Sequence, residues 1–167
     1  MRLFQPIGES SREHLAERVS AATYGTVLIV AALLVVDADD VASGWGWELV
    51  TGVGVATWVA HIYAEILGNH IRNGDQGHEV RTAMADGLPI LLVAMLPAVV
   101  LALGGLGVVE PRLAVWIAII AAVLQLVGLG AYVGVAVRND RSSSWRYAAM
   151  TAGLGIGVIL FVVALGH

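Results

Sequence analysis

The chain contains no cysteine, which excludes disulfides, thiolate metal sites and cysteine nucleophiles. It contains no lysine either: all nine basic residues are arginine, which reads as a bias of the genome rather than a functional signal. Charge is scarce, at 13% of 167 residues, where a soluble domain carries about 25%. The net charge is −4, which gives no support for nucleic-acid binding, and no such partner is expected. Signatures of catalysis are also missing. There is no His-Glu-x-x-His, no Ser/His/Asp set at membrane depth and no pair of acids assignable to facing spans. The chain is not expected to be an enzyme or to hold a cofactor. A cleaved signal peptide is not expected: Glu9, Glu13 and Glu17 precede the first apolar run, and no small-residue cleavage site follows a short apolar core.

What the chain has in excess is apolar residues, 58% of the total against about 45–50% in soluble domains. They fall into five segments: Val19 to Val36, Trp45 to about Leu67, about Met84 to Val109, Leu113 to Val137, and about Trp145 to Leu165. Each is near or above the ~20 residues that cross a ~30 Å hydrocarbon core as a helix. Backbone in hydrocarbon must satisfy its own hydrogen bonds, so these are expected to be helices despite their valine and isoleucine. The expected fold is an all-α integral membrane protein. Residues 1–18 form a cytoplasmic N-terminal segment and 19–167 a transmembrane domain of five helices. Ser10 with Glu13 fits a capping box, and predicts a short helix before the first span.

Arginine placement sets the expected orientation. Arg2, Arg12 and Arg18 precede span one, Arg72 and Arg81 separate spans two and three, and Arg138, Arg141 and Arg146 separate spans four and five; the alternate loops hold only Arg112. The positive-inside rule puts the N-terminus in the cytoplasm and the C-terminus, with His167, outside. The acidic loop of Asp37, Asp39 and Asp40 is then external. Trp45, Trp47, Trp116 and Trp145 lie near span ends, as interfacial anchors do. Small-residue steps, Gly130 with Gly134 and Ala149 with Gly153 and Gly157, permit close helix approach within or between subunits. Pro89 and Pro97 are expected to kink or break span three.

The residues with most chemical content are His61 and Glu65, inside span two and one turn apart on one face. Trp58 and Asn69 extend that face. Ionisable groups in a membrane helix are costly and usually face protein or a water-filled path. Three readings stay open. The pair holds helices together, for example through Arg18, Arg81, Arg138 or Arg146 on Glu65; it belongs to an ion pathway or gate; or it binds a metal. Two ligands fall short of the three or four that a stable zinc site needs. His14, His70 and His78 are expected on the same side, and leave a third ligand undetermined. Asp86, at the start of span three, is expected to complement the helix dipole, and Glu48 to be a boundary residue. The polar run from Asn69 to Glu79 reads as a solvated turn.

Three stretches together resemble a known family. Arg18 and Gly25 bracket a segment, Ala22-Thr23-Tyr24-Gly25, that precedes the apolar run TVLIVAALLVV. This is similar to the first helix of the FSDG-motif potassium channels, the bacterial relatives of the lysosomal potassium channel. Trp58-Val-Ala-His61 is similar to the family's Trp-x-x-His, and Leu88 to Pro97 to its apolar run ending in Leu-Pro. The chain differs in having Ala-Thr-Tyr-Gly where the family has Phe-Ser-Asp-Gly, and five apolar segments where the family unit has six spans. The resemblance implies a homo-oligomer, with a tetramer as its expected form, in a bacterial inner membrane. It implies a potassium-type channel or leak for a monovalent cation. Ile29, Ala32, Leu33 and Val36 of the first helix would face the pore, and Arg18, Thr23, Trp58 and His61 would form a polar network behind it; apart from the resemblance, Glu65 is expected to join that network in place of the missing Asp, as a partner for Arg. The alternatives are a non-conducting membrane scaffold or accessory protein, and a proton- or metal-coupled transporter using His61 and Glu65.

Overall fold

A computed structural model describes residues 9–73 and 79–138, with Ala149, Met150, Gly153 and Gly157 as further helical positions. Among the described residues the structure is entirely helical: α1 (Glu9–Leu33), α2 (Ala38–Ser43), α3 (Trp45–Asn73), α4 (Glu79–Gly105) and α5 (Pro111–Arg138). The expected polar lead-in helix and first span are one element, because α1 runs through Arg18 without a break and Ser10 already lies inside it.

Among the described residues, three helices are long and apolar enough to cross a membrane: Trp45–Gly68, Val80–Gly105 and Pro111–Tyr132. The first expected span lies on α1, which ends at Leu33, before the expected end at Val36. After Leu33 the amides of Val35 and Val36 turn back onto Ala32 and Leu33 at 3.2 and 3.4 Å. That tighter turn ends the apolar helical stretch that begins at Val19. The expected fifth span, with Trp145, lies outside the described residues apart from the four positions named above.

The acidic loop is a short helix. Asp37 caps α2: its Oδ1 accepts the amides of Asp39 and Asp40, both at 2.9 Å. Asp40 Oδ2 in turn accepts the Asp37 amide at 3.0 Å. This reciprocal cap satisfies donors that helix formation leaves unpaired. Val41 from α2 is fully buried and joins the core. At the start of α5, Glu110 accepts the amides of Arg112 and Leu113 at 3.2 and 2.8 Å, and Pro111 fills the first helical position, where no N–H is needed. The expected third span over-ran its helix: α4 stops at Gly105, and Leu106 to Val109 form the turn. Pro89 and Pro97 do not break α4, which is continuous through both.

The core is built from Ile29, Val30 and Leu33 of α1, Val50 of α3, Ala94 and Leu101 of α4, and Ala114, Ala118 and Ala122 of α5. Alanines at four-residue spacing face inward on α5, while Leu113, Trp116, Ile117, Ile120 and Leu124 are exposed. Gly54 works the same way on α3: a Cβ there would lie 2.7 Å from the Ala94 methyl, so only glycine permits this approach. Small residues inside and large apolar residues outside suit a bundle whose outer solvent is lipid. Exposed large side chains on α3 (Val55, Val59, Tyr63, Leu67) and α4 (Leu92, Met95, Leu96, Val99) extend that surface. Gly130 is buried, and among the described residues no atom lies within 4 Å of where a Cβ would stand at Gly153 or Gly157.

Candidate functional site

The first turns of α4, the last turns of α3 and the N-terminal half of α1 meet at the end of the bundle expected to face the cytoplasm. There a carboxylate oxygen from each of Glu17, Glu65 and Asp86 lies within 4.8 Å of the others. Each comes from a different helix. Glu17 is exposed, Glu65 half-buried and Asp86 buried, so the cluster runs from the surface inward. All three have interaction partners within the chain. His61 adjoins them, with Nε2 3.8 Å from Glu65 Oε2. A cavity of about 370 Å³ lined by Glu17, Ser20, His61, Ala64 and Glu65 gives access from one side.

Helix geometry explains the arrangement. His61 and Glu65, four apart on α3, project on one face. Gly87 on α4 lets that face come close: a Cβ there would sit 3.0 Å from Trp58 Cδ1 and 3.2 Å from His61 Cδ2. The Trp58 indole donates to the Met84 carbonyl at 3.4 Å, tying α3 to α4 one turn from Asp86. Because α4 begins at Glu79, Asp86 lies about two turns inside the helix. The expectation that Asp86 opens the span and meets its dipole is therefore corrected; it faces a neighbouring carboxylate instead.

Three carboxylates in one place constrain one another. At separations near 5 Å and an effective dielectric of ~20, each ionised pair repels by on the order of 3 kcal/mol. The cluster holds together through protons, opposing groups or a cation. Oxygens coordinated to a divalent cation at ~2.0–2.6 Å lie up to ~4–5 Å apart across the ion. The observed spacing is within that reach.

The structure separates the expected polar network into two parts. Trp58, His61 and Glu65 share the face turned to α4. Thr23 instead donates to the Val19 carbonyl of its own helix at 2.8 Å, and Arg18 is exposed. Of the arginines considered as partners for Glu65, Arg81 is exposed and the side chains of Arg138 and Arg146 lie outside the described residues, as do those of Asn69, His14 and His78. His70 is exposed. The four positions expected at a pore are inside the protomer: Ile29 is 1% exposed, Ala32 9%, Leu33 0% and Val36 5%. Ile29, Leu33 and Val36 pack against α3, α4 and α5 in the core. Their side chains are thus already used by the chain's own packing.

Glu17 and Asp86 are the site residues that sequence reasoning missed. One signal was available: the start of span one, the end of span two and the start of span three all fall on the same expected side. An acid near each of those ends was a candidate for one cluster. The chain matches no protein-family model, no curated protein and no solved structure.

Proposed function

We propose that the protein is a cation-handling membrane protein in which Glu17, Glu65 and Asp86 hold a divalent cation and His61 exchanges the accompanying proton. The observation that carries this reading is the convergence of three carboxylates from three helices within 4.8 Å. Oxygen donors suit hard divalent ions, and an adjoining imidazole widens the range toward manganese and zinc. Filling the site would link α1 to the α3–α4 pair, so cation and proton occupancy would bias how these helices pack. Such coupling is what a proton- or metal-coupled transporter requires.

The test uses the purified full chain in nanodiscs, titrated calorimetrically with Ca²⁺, Mn²⁺ and Zn²⁺, and in liposomes loaded with a divalent-sensitive dye. Saturable binding of at least one of these ions is expected. Glu65→Gln and Asp86→Asn should each weaken it by roughly tenfold or more, as loss of a charged ligand does. Affinity should fall as pH is lowered, because binding requires ionised carboxylates and releases protons. No binding of any of the three ions, or equal affinity in both variants, would refute the site. Binding without dye response would leave a cation-sensing protein rather than a transporter.

A second reading, an oligomeric potassium-type channel, is favoured by one observation. The three stretches that resemble the FSDG channels lie near one another in space: a Cβ at Gly25 would lie 3.1 Å from Ile90, and one at Gly87, the residue before Leu88, would meet Trp58 and His61. A pore lined by Ile29, Ala32, Leu33 and Val36 would require those side chains to leave the core. Potassium flux in liposomes that persists in Asp86→Asn and falls in Ile29→Trp would favour this reading over the first.

A further inference from the structure

A second chemically distinctive cavity lies at the opposite end of the bundle, where α2 covers the start of α5. It has a volume of about 510 Å³, within the ~300–1,000 Å³ of small-molecule sites. Its mouth carries Asp37, Asp39 and Arg112, its side is Trp116, and its floor includes Leu33 and Ile119. Leu33 is 0% and Ile119 9% exposed, whereas Trp116 is 59% exposed. The cavity is therefore charged at the rim and apolar below, with an indole at the boundary.

The rim groups are not all occupied by the cap of α2. Asp37 Oδ1 accepts the amides of Asp39 and Asp40. Asp39 gives that cap its backbone N–H, while its carboxylate takes no part. Arg112 contributes its backbone amide to the Glu110 cap, and its side chain is exposed at the rim. A complementary ligand must offer an anion to the guanidinium, a cation to the carboxylates and an apolar body to the floor. An apolar amino acid carries all three but is too short to run from the rim to the floor, phosphatidylglycerol lacks the cation, and phosphatidylserine adds a carboxylate that Asp37 and Asp39 would repel. An ethanolamine phospholipid has all three. Its primary ammonium donates hydrogen bonds to carboxylates, and its phosphate matches the guanidinium fork. From Arg112 to Ile119 the helix descends about 10 Å, the depth from head group to upper acyl chain. Trp116 stands where an interfacial tryptophan belongs.

We propose that this cavity binds the head group and upper chain of an ethanolamine phospholipid, with the phosphate on Arg112 and the ammonium between Asp39 and Asp37. The inference rests on the chain being a membrane protein and is independent of the cation site at the other end. The test is native mass spectrometry of the purified full chain in detergent, incubated with equimolar phosphatidylethanolamine and phosphatidylglycerol. Preferential retention of phosphatidylethanolamine is expected. Arg112→Gln and Asp39→Asn should each lower it by roughly tenfold, the effect of losing one charged hydrogen-bonding group. Asp39→Asn leaves both capping carboxylates in place, which keeps the test sound should Arg112→Gln disturb the fold. Arg81→Gln, at the other end, should leave retention unchanged. Equal retention of phosphatidylglycerol, or unchanged retention in Asp39→Asn, would overturn the proposal. Divalent-cation titration of Asp39→Asn reads the other site separately, so either proposal can fail alone.

Discussion

The two ends of the bundle put the same side-chain chemistry to opposite uses. At the α2 end, Asp37, Asp40 and Glu110 point their carboxylates at backbone amides, at 2.8 to 3.2 Å. Each charge there meets helix N-termini that would otherwise leave donors unpaired. At the other end Glu17, Glu65 and Asp86 point at one another. The first arrangement is complete in itself and stabilises the fold. The second adds repulsion that protons, opposing groups or a ligand must offset. Removing a capping acid should therefore cost stability at the α2 end, whereas removing a clustered acid should cost little, and that asymmetry marks the cluster as a candidate cation site.

The largest expected effect breaks the comparison directly. The double variant Glu65→Gln with Asp86→Asn should lose the stabilisation that a divalent cation gives the native chain, about 2.7 kcal/mol at a hundredfold excess over Kd. Without the cation the variant should stay close to the parent in stability, because relief of like charge offsets the partners that Glu65 and Asp86 lose. Thermal unfolding in detergent with calcium or with EDTA measures both. A double variant that is strongly destabilised in EDTA would show the acids to be structural, and the contrast between the ends would collapse.

The next effect concerns how the site is held. Gly87→Leu would drive a side chain into Trp58 and His61, at a cost of about 1–3 kcal/mol typical of overpacking. The same melts report it, and quenching or shift of tryptophan emission should accompany it. At the α2 end, Asp37→Ala should cost about 1 kcal/mol for the lost cap, with divalent binding unchanged. The smallest effect is that of Glu110→Gln, which retains acceptors for the amides of Arg112 and Leu113 but removes the charge. A loss of about 0.3–1 kcal/mol is expected, diminishing with added salt.

Much of the fold was legible because a membrane-length helix is written in apolar length alone. The candidate spans on α3, α4 and α5 follow from it. Their ends were less legible: α3 continues past Leu67 to Asn73, and α4 begins at Glu79 rather than Met84. Polar residues beyond the hydrocarbon remain helical, so the apolar run bounds the crossing and not the helix. The short α2 went unforeseen because its cap pairs two aspartates, Asp37 and Asp40, where a capping box more often pairs serine or threonine with glutamate. In the site, His61 and Glu65 stood out by their i, i+4 spacing within an apolar run. Glu17 and Asp86 did not, since each looks alone in its own helix.

By itself, the sequence determined the membrane-suited composition, the helical class and one face of α3 that carries a histidine and a glutamate. These are local properties: apolar length, backbone self-satisfaction and the 3.6-residue period. Tertiary structure alone decided which face of α1 is inside. That helix is apolar along most of its length, and a uniformly apolar cylinder has no preferred side until small residues on its neighbours, such as Ala94 and Ala118, admit it closely. That choice buried Ile29 and Leu33, and the meeting of α1, α3 and α4 brought Glu17 to Glu65 and Asp86.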